Sequence, residues 1–597
     1  MHFMMCVVLE ILLYFSLFHL AQPQGLQPTC SNIDREALLG FKAKIVKDTT
    51  GLLSTWTSKD CCGGGWEGID CDPSTGRVIR LILQRPSSYK DVGIYMKGTL
   101  STSLGNLSFL EVMIISGMKR ISGPIPQSFE KLNKLTQLIL DDNALQGVLQ
   151  NSVLVHLTKL QTLSLSGNSF SGEIPPTMGN LKELLQLNLA KNSLTGSFPS
   201  TLANLKSLQA LDVGYNSLSG LIPDFLGVGL LNLTYLDLSN NRLSGQMPDS
   251  LCNLVKLSAL SLDHNQLVGR IPYLIGNMKS LSTLSLGSNR LSGQIPESLG
   301  HLQNLWNVSL SGNELVGPLP TSAFSKGLPS LLSIDLSRNK FNLGTVPEWI
   351  RNRELSNVQL AGCSLSGILP NFTKPESLNS IDLSDNYFSD GLSNFLARMS
   401  NIQNVKLSNN KLKSDISQIR LPDGLSSLDL HSNKLFGSLS RILSNKTSKF
   451  LEIVDVSNNQ ISGTIPEISS TLNLKVLNIA NNKISGHIPI SISNLNALEK
   501  LDISRNQITG TIPPSLGLVL KLHWLDISIN GLTGRIPESL MGIEALQHVN
   551  FRANRLCGQI PQKRPFNIFP PAAYAHNLCL CGKPLPPCKG KQKETGQ

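Results

Sequence analysis

The sequence predicts an α/β solenoid of about 20 short repeats, because three features recur together along most of its 597 residues. The first is a leucine spacing, Leu-x-x-Leu-x-Leu, which suits a short strand with one buried face. The second is an asparagine a few residues later, and the third is a Gly-x-Ile-Pro segment. Residues 233–248 contain a clear copy of all three.

The leucine spacing predicts the strands. Successive copies would stack these strands into a parallel sheet, since one copy alone buries too little apolar surface to offset its ordering entropy. Fully burying one Leu, Ile or Val side chain contributes roughly 1.5–3 kcal/mol. The non-leucine positions of each strand are then expected on the concave side.

The asparagine position recurs every 23 to 26 residues and sets the repeat length. A side-chain amide at this point can satisfy backbone groups where the chain leaves the strand, so we expect a ladder of stacked amides. Cys363 fills one position, which the general repeat pattern allows. The asparagines are Asn143, Asn168, Asn192, Asn216, Asn241, Asn265, Asn289, Asn313, Asn339, Asn386, Asn410, Asn433, Asn459, Asn482, Asn506, Asn530 and Asn554.

The Gly-x-Ile-Pro segment is expected to shape the outer side of each repeat. Glycine permits backbone conformations closed to other residues, and proline fixes φ and removes a donor. The isoleucines of this segment should point inward as a second apolar row; they are Ile174, Ile271, Ile295, Ile465, Ile488, Ile512 and Ile536.

This pattern resembles the plant-specific class of extracellular leucine-rich repeat proteins. That class includes receptor-like protein ectodomains, polygalacturonase inhibitors and a family named for DNA-damage toleration. The resemblance covers nearly the whole chain after its first two dozen residues. It implies a twisted horseshoe with a parallel sheet on the concave face, a second small sheet, and short 3₁₀ turns on the outer side.

The first residues and the cysteines indicate export. Residues 7–20 are almost continuously apolar, as in a secretory signal, although Glu10 interrupts them and no Lys or Arg precedes them. A retained membrane anchor is the alternative. Most of the 11 cysteines cluster before and after the repeats, where disulfides would stabilise small caps.

The segment before the repeats resembles the N-terminal cap of the same protein class. A helix is predicted around residues 34–42, with Leu38, Leu39 and Phe41 on its apolar side. The resemblance implies disulfides that join Cys30 to Cys61 and Cys62 to Cys71.

The segment after the repeats resembles the C-terminal cap. Cys581–Cys588 is the expected bridge, and Cys557 and Cys579 could form a second one, because sequence does not fix connectivity. No membrane-spanning segment is expected after Cys588. The predicted organisation is a signal peptide at 1–24, a cap at 25–76, repeats at 77–558, a cap at 559–588 and a disordered basic tail at 589–597.

Five Asn-x-Ser/Thr sequons are candidates for glycosylation: Asn106, Asn232, Asn307, Asn371 and Asn445. By register Asn307 lies on a strand and faces the open side. A glycan there would close part of the concave surface, or crowding would leave the asparagine unmodified.

Composition and motifs point to binding without catalysis. The formal net charge of +11 suggests an acidic partner or a polyanion such as pectin; the alternative is that it serves only solubility. No compact basic motif indicates nucleic acid, and no hydrolase, kinase, phosphate-binding or metal-protease motif occurs. We therefore expect no enzyme activity, no cofactor and no metal. Cys252 is read as a small buried residue, with a reactive thiol as the alternative.

Candidate ligand-binding residues are those on the concave side that differ from the residue usually found at that position of the repeat. A column of aspartates, including Asp502 and Asp526, is typical of a solvated strand face rather than of a cation site. The departures are Tyr215, Tyr235 and His264, and later Arg505, Trp524, His548 and Arg552. Tryptophan beside arginine is typical of binding hot spots, although Trp524 could instead pack on a neighbouring strand.

The sequence therefore predicts a secreted, glycosylated plant recognition protein in the apoplast or cell wall, or peripheral at the plasma membrane. It would bind a protein, peptide or wall glycan in defence or developmental signalling, with a membrane receptor kinase as partner. The alternative is an inhibitor of a wall-degrading enzyme such as polygalacturonase. A repair function, as the name of the DNA-damage-toleration family suggests, is not expected, because the sequence contains no residues that would perform repair chemistry.

Overall fold

A computed structural model describes residues 29–63, 65–85, 93–443 and 449–588. The chain forms two compact units, of which the first ends at Leu218 and the second begins at Ser219. The predicted signal at residues 1–24 and the basic tail at 589–597 lie outside the described residues. Within the described ranges, no helix combines the length and the apolar composition needed to cross a bilayer.

Each unit contains a main sheet formed by the leucine-spaced strands. Neighbouring strands of consecutive repeats pair in parallel and in register, as in Gln186↔Ala210 of the first unit and Thr283↔Asn307 of the second. In the first unit the strands are Val78–Gln84, Val112–Ser116, Gln137–Ile139, Thr162–Ser164, Gln186–Asn188 and Ala210–Asp212. The strand Ile69–Cys71 joins this sheet antiparallel to Val78–Gln84. In the second unit they are Tyr235–Asp237, Ala259–Ser261, Thr283–Ser285, Asn307–Ser309, Ser333–Asp335, Asn357–Gln359, Ser380–Asp382, Asn404–Lys406, Ser427–Asp429, Ile453–Asp455, Val476–Asn478, Lys500–Asp502, Trp524–Asp526 and His548–Asn550.

A second set of strands follows the asparagine in many repeats. In the first unit these strands form one sheet, Ile45–Asp48, Met96–Thr99, Lys119–Gly123, Ala144–Val148, Ser169–Glu173 and Ser193–Thr195. In the second unit they form shorter sheets, from Ser219–Leu221, Arg242–Gln246, Gln266–Gly269, Arg290–Gly293 and Glu314–Leu315, from Ser366–Ile368 and Tyr387–Asp390, and from Thr509–Thr511, Gly531–Gly534, Arg555–Gln559 and Cys579–Cys581.

Short helices close the remaining side of most repeats, and the helices Asn32–Lys44 and Leu52–Thr55 lie before the repeats. The α-helices are Asn32–Lys44, Asn151–Leu154, Phe225–Gly229, Thr321–Lys326, Glu348–Arg351 and Leu392–Arg398. The 3₁₀ helices are Leu52–Thr55, Thr102–Asn106, Gln127–Lys131, Pro176–Asn180, Ser200–Asn204, Asp249–Asn253, Tyr273–Asn277, Glu297–His301, Pro375–Ser377, Ile416–Gln418, Leu439–Arg441, Ile490–Asn494, Pro514–Leu518, Glu538–Gly542 and Pro571–Tyr574. The predicted leucine-rich repeat solenoid, with a parallel sheet and disulfides near both ends, is confirmed.

The asparagine ladder is present in both units. Asn289 is representative: its Nδ2 donates to Leu262 O at 3.0 Å and Leu286 O at 3.2 Å, and its Oδ1 accepts from Leu267 N at 3.0 Å. Each such amide therefore ties its own repeat to the preceding one. Cys363 takes this position with its Sγ 3.5 Å from Leu336 O.

The apolar rows form the core of each unit. The seven isoleucines of the Gly-x-Ile-Pro segments are all buried, as the sequence predicts. Cys252 and Cys363 are buried and unpaired, and burial raises the pKa of both thiols to about 12. Both therefore behave as small apolar residues at physiological pH.

The N-terminal cap covers the first repeats with its α-helix and two tryptophans. Asp34 on the helix is fully buried, and both of its carboxylate oxygens accept from Arg77 at 2.9 Å. Trp56 and Trp66 stack with ring centroids 5.2 Å apart.

Disulfides join Cys30 to Cys61, Cys62 to Cys71, Cys557 to Cys579 and Cys581 to Cys588.

Candidate functional site

Three side chains form a line across the open face of the main sheet in the second unit. Lys500, Trp524 and His548 each begin a strand, and they are direct neighbours in the parallel register. Because paired residues of adjacent strands point to the same face, the three side chains stack side by side. We call this set the tryptophan ladder.

The indole of Trp524 is held from both neighbouring strands. Its ring centroid lies 3.5 Å from that of His548, with 13° between the two planes. On the other side, Lys500 Nζ lies 5.4 Å from the indole centroid. An aromatic pair and a cation–π contact each contribute about 0.5–1.5 kcal/mol, so the indole is preorganised. Trp524 nevertheless remains 38% exposed and can contact a ligand.

The sequence predicts that Trp524 lies beside Arg505 and Arg552, and the structure places these arginines differently. Both are exposed and follow their strands, with Arg505 in a turn at φ 54°. Among the described residues, the cation over the indole is Lys500, and neither arginine makes a cation–π contact with it. Sequence reasoning missed Lys500, although its position 24 residues before Trp524 places it in the same column.

The earlier tyrosine and histidine candidates lie in different units. Tyr215 belongs to the first unit, is 56% exposed and lies in a turn at φ 55°. Tyr235 begins a strand of the second unit, and its hydroxyl donates to Asp237 Oδ2 at 3.3 Å. His264 is exposed in a turn of the second unit at φ 54°. The structure thus leaves Tyr215 and His264 exposed and engages Tyr235 locally.

The aspartate column is a structural feature of the strand ends. Asp502 Oδ1 accepts from Ser504 N at 3.1 Å and from Ser504 Oγ at 2.7 Å, and Asp526 Oδ1 accepts from Ser528 N at 2.9 Å. Burial raises the pKa of Asp502, whereas the bonds from Ser504 act in the opposite direction. The prediction of a merely solvated face was therefore incomplete, because these half-buried carboxylates fix the turn after each strand.

One cluster on this face has ligand types suited to a metal. Donor atoms of Asp429, His431 and Asp455 lie within 4.8 Å of one another, and His431 Nδ1 lies 2.6 Å from Asp429 Oδ1. Both Asp455 oxygens already accept hydrogen bonds, from Ser457 and from Asn478. The cluster is accounted for by these bonds, and we assign no metal to it.

The sequons differ in accessibility. Asn106, Asn232 and Asn371 are exposed, and Lys256 Nζ donates to Asn232 Oδ1 at 2.8 Å. Asn307 begins a strand of the main sheet and is half-buried, and Asn445 lies outside the described residues. Glycosylation at the exposed positions stays a prediction.

Comparison with known families matches both the cap and the repeats. Residues 31–72 match the family described as leucine rich repeat N-terminal domain. Leucine rich repeat families match residues 159–181, 183–205, 207–228, 220–267, 280–302 and 449–508.

Curated relatives match over short segments. A DNA damage-repair/toleration protein of Arabidopsis thaliana is 32% identical over 119 residues, which are 19% of this chain and 32% of the relative. A polygalacturonase inhibitor of Vitis vinifera is 34% identical over 117 residues, which are 19% of this chain and 32% of the inhibitor. The chain thus spans about a third or less of the curated relatives it matches.

Solved structures match over most of the chain. The ectodomain of the Arabidopsis thaliana receptor kinase GASSHO1/SCHENGEN3, in complex with CASPARIAN STRIP INTEGRITY FACTOR 2, is 31% identical with a TM-score of 0.73. That match covers 92% of this chain and 64% of the ectodomain. The plant peptide hormone receptor RGFR1, in complex with RGF2, is 30% identical with a TM-score of 0.60, and 81% of each chain is covered.

Proposed function

Because the chain belongs to the plant extracellular leucine-rich repeat family, we propose that it is a non-enzymatic recognition protein that binds a peptide outside the cell. The ligand would lie on the open face of the main sheet in the second unit. The tryptophan ladder is the observation that carries this proposal.

The ladder has the properties expected of an interface hot spot. Trp524 offers a large apolar surface whose orientation is already fixed by His548 and Lys500, so little conformational entropy is lost on binding. The similar ectodomains in complex with a peptide hormone or with an integrity factor support a peptide as ligand. An extended peptide can follow the sheet face across several repeats.

We further propose that the protein is secreted and works with a membrane receptor kinase in defence or developmental signalling. Similar ectodomains belong to receptor kinases, and one of them, HAESA, is in complex with a peptide hormone and a co-receptor. Immunoprecipitation of the tagged full chain from plant tissue should recover a receptor kinase. Failure to enrich any receptor kinase over an unrelated secreted protein would count against the partner.

Peptide binding is tested directly with the purified chain. Peptides retained from plant extracellular fluid are identified by mass spectrometry, synthesised, and titrated by calorimetry. Trp524→Ala should weaken binding by about 2 kcal/mol, which is roughly 30-fold, because the substitution removes the central anchor.

Trp306→Ala is the matched control. Trp306 is 45% exposed beside the strand Asn307–Ser309 of the same sheet, outside the tryptophan ladder. The Trp306→Ala variant should bind the peptide with an affinity within about twofold of that of the parent chain. Equal losses in the two variants, or none in Trp524→Ala, would refute the assignment of the site.

The second candidate function is inhibition of a wall-degrading enzyme, which the similarity to the Vitis vinifera polygalacturonase inhibitor favours. Incubation of the purified chain with a panel of fungal polygalacturonases tests it. Unchanged turnover at micromolar concentrations of the chain would eliminate this candidate.

A further inference from the structure

The second sheet of the first unit carries three cations in direct register. Lys47 on the strand Ile45–Asp48 pairs with Lys97 on Met96–Thr99, and Lys97 pairs with Arg120 on Lys119–Gly123. All three side chains are exposed. Paired residues of adjacent strands lie on the same face, so the charges form one line, which we call the basic ladder.

This line of like charges is unfavourable for the isolated protein. Directly opposed like charges on neighbouring strands destabilise a sheet. Among the described residues, none of the three cations takes part in a salt bridge. The repulsion would be relieved by an anionic ligand that lies along the line.

The nearest carboxylate on these strands is already engaged. Asp48 Oδ1 accepts from Thr50 N at 2.8 Å and from Gly51 N at 3.2 Å, and Asp48 Oδ2 accepts from Leu53 N at 3.1 Å. These bonds hold the turn that follows the strand. Asp48 therefore stabilises local backbone rather than pairing with the ladder.

An aromatic ring orients two of the cations. Arg120 Cζ lies 3.8 Å from the centroid of the Tyr95 ring, and Lys47 Nζ lies 5.6 Å from it. Tyr95 is itself fixed by the bond from its N–H to Thr49 Oγ1 at 2.8 Å. The charged groups are thus partly preorganised.

We propose that the basic ladder binds a linear polysaccharide of uronic acids. Neighbouring strands lie about 4.8 Å apart, which is comparable to the length of one sugar in such a chain. Each uronate carries one carboxylate, so successive sugars can face successive cations. A lipid surface spreads its charge in two dimensions and matches a single line less well. The proposal does not depend on peptide binding.

The test uses the purified full chain and a fluorescent oligogalacturonide of about ten sugars, with affinity measured by anisotropy at low and at physiological salt. The parent chain should bind, and binding should weaken as salt rises, because exposed charges are screened. The triple variant Lys47→Gln, Lys97→Gln, Arg120→Gln should lose at least about tenfold in affinity. Thermal unfolding should show that the variant folds, since the replaced residues are exposed.

The matched control removes the same charge elsewhere. Arg242→Gln, Arg290→Gln and Lys434→Gln together replace three exposed cations of the second unit and should change the affinity by less than about twofold. Equal losses in both triple variants would show an effect of net charge and overturn the site.

Two ligand controls separate the remaining possibilities. A fully methyl-esterified oligomer should not bind, because it lacks charge; equal binding would overturn the proposal. Vesicles that contain phosphatidylserine serve as the lipid probe. If the chain bound vesicles but not the oligogalacturonide, and the triple variant lost the vesicle binding, the basic ladder would be a membrane-binding surface. That result would also overturn the proposal.

Discussion

Replacement of one ladder asparagine by alanine should measurably weaken the solenoid, and Asn289 is the clearest case. Its side chain is only 8% exposed and bridges two repeats through Leu262 O and Leu267 N. Asn289→Ala leaves the Leu267 amide without its partner, whereas Leu262 O still accepts from Asn265 Nδ2 at 3.1 Å. A buried polar group that loses its hydrogen bond costs about 1–3 kcal/mol, so the substitution should destabilise the chain by about 1–3 kcal/mol.

The loss is measured by urea unfolding followed by far-ultraviolet circular dichroism. Because repeats contact mainly their neighbours, hydrogen exchange at the Leu267 amide should also accelerate more than exchange in distant repeats. Asn253→Ala, at an exposed asparagine of the helix Asp249–Asn253, should change stability by less than about 0.5 kcal/mol. If Asn289→Ala cost no more than this control, the amide ladder would not be a main source of stability.

Two further substitutions test the same logic. Burial raises the pKa of Asp141 to about 6, so the folded state favours its protonated carboxyl; the contribution of this group to stability is complete below about pH 4 and is lost as pH rises through 6. Asp141→Asn should remove this pH dependence and stabilise the chain at pH 7 by up to about 3 kcal/mol in urea unfolding; an unchanged pH profile would contradict the assignment. Leu336 O already accepts from Asn339 Nδ2 at 3.1 Å. Cys363→Asn should place an amide donor on the same oxygen instead of the thiol, stabilise the chain by about 1 kcal/mol and so raise its unfolding temperature. An unfolding temperature no higher than that of Cys363→Ala would show that the backbone there cannot use the amide.

The repeat architecture follows from the sequence because each element depends on short-range periodicity. The buried leucines, the inward isoleucines and Asn289 with its equivalents all recur at a fixed spacing, so one copy predicts the others. The roles of Asp502 and Asp526 were underestimated, because a half-buried carboxylate that bonds to the serine two residues later is not distinguishable from an exposed one by spacing alone.

The candidate binding surfaces were less predictable. The sequence identified Trp524 and His548 as departures from the repeat, but it did not pair them, and Lys500 looked like an ordinary strand residue. The basic ladder was not predicted at all. Lys47 and Lys97 are 50 residues apart in an antiparallel pair, and Lys47 lies in the predicted N-terminal cap, so no repeat period relates them.

The amide junctions between repeats bear on how such chains change length during evolution. Each ladder asparagine bonds to its own repeat and to the one before it, through the same backbone atoms at every junction. Loss or duplication of one whole repeat therefore recreates a junction of the same kind. Unequal recombination within the coding sequence can therefore shorten or lengthen the scaffold while every amide still finds its partners.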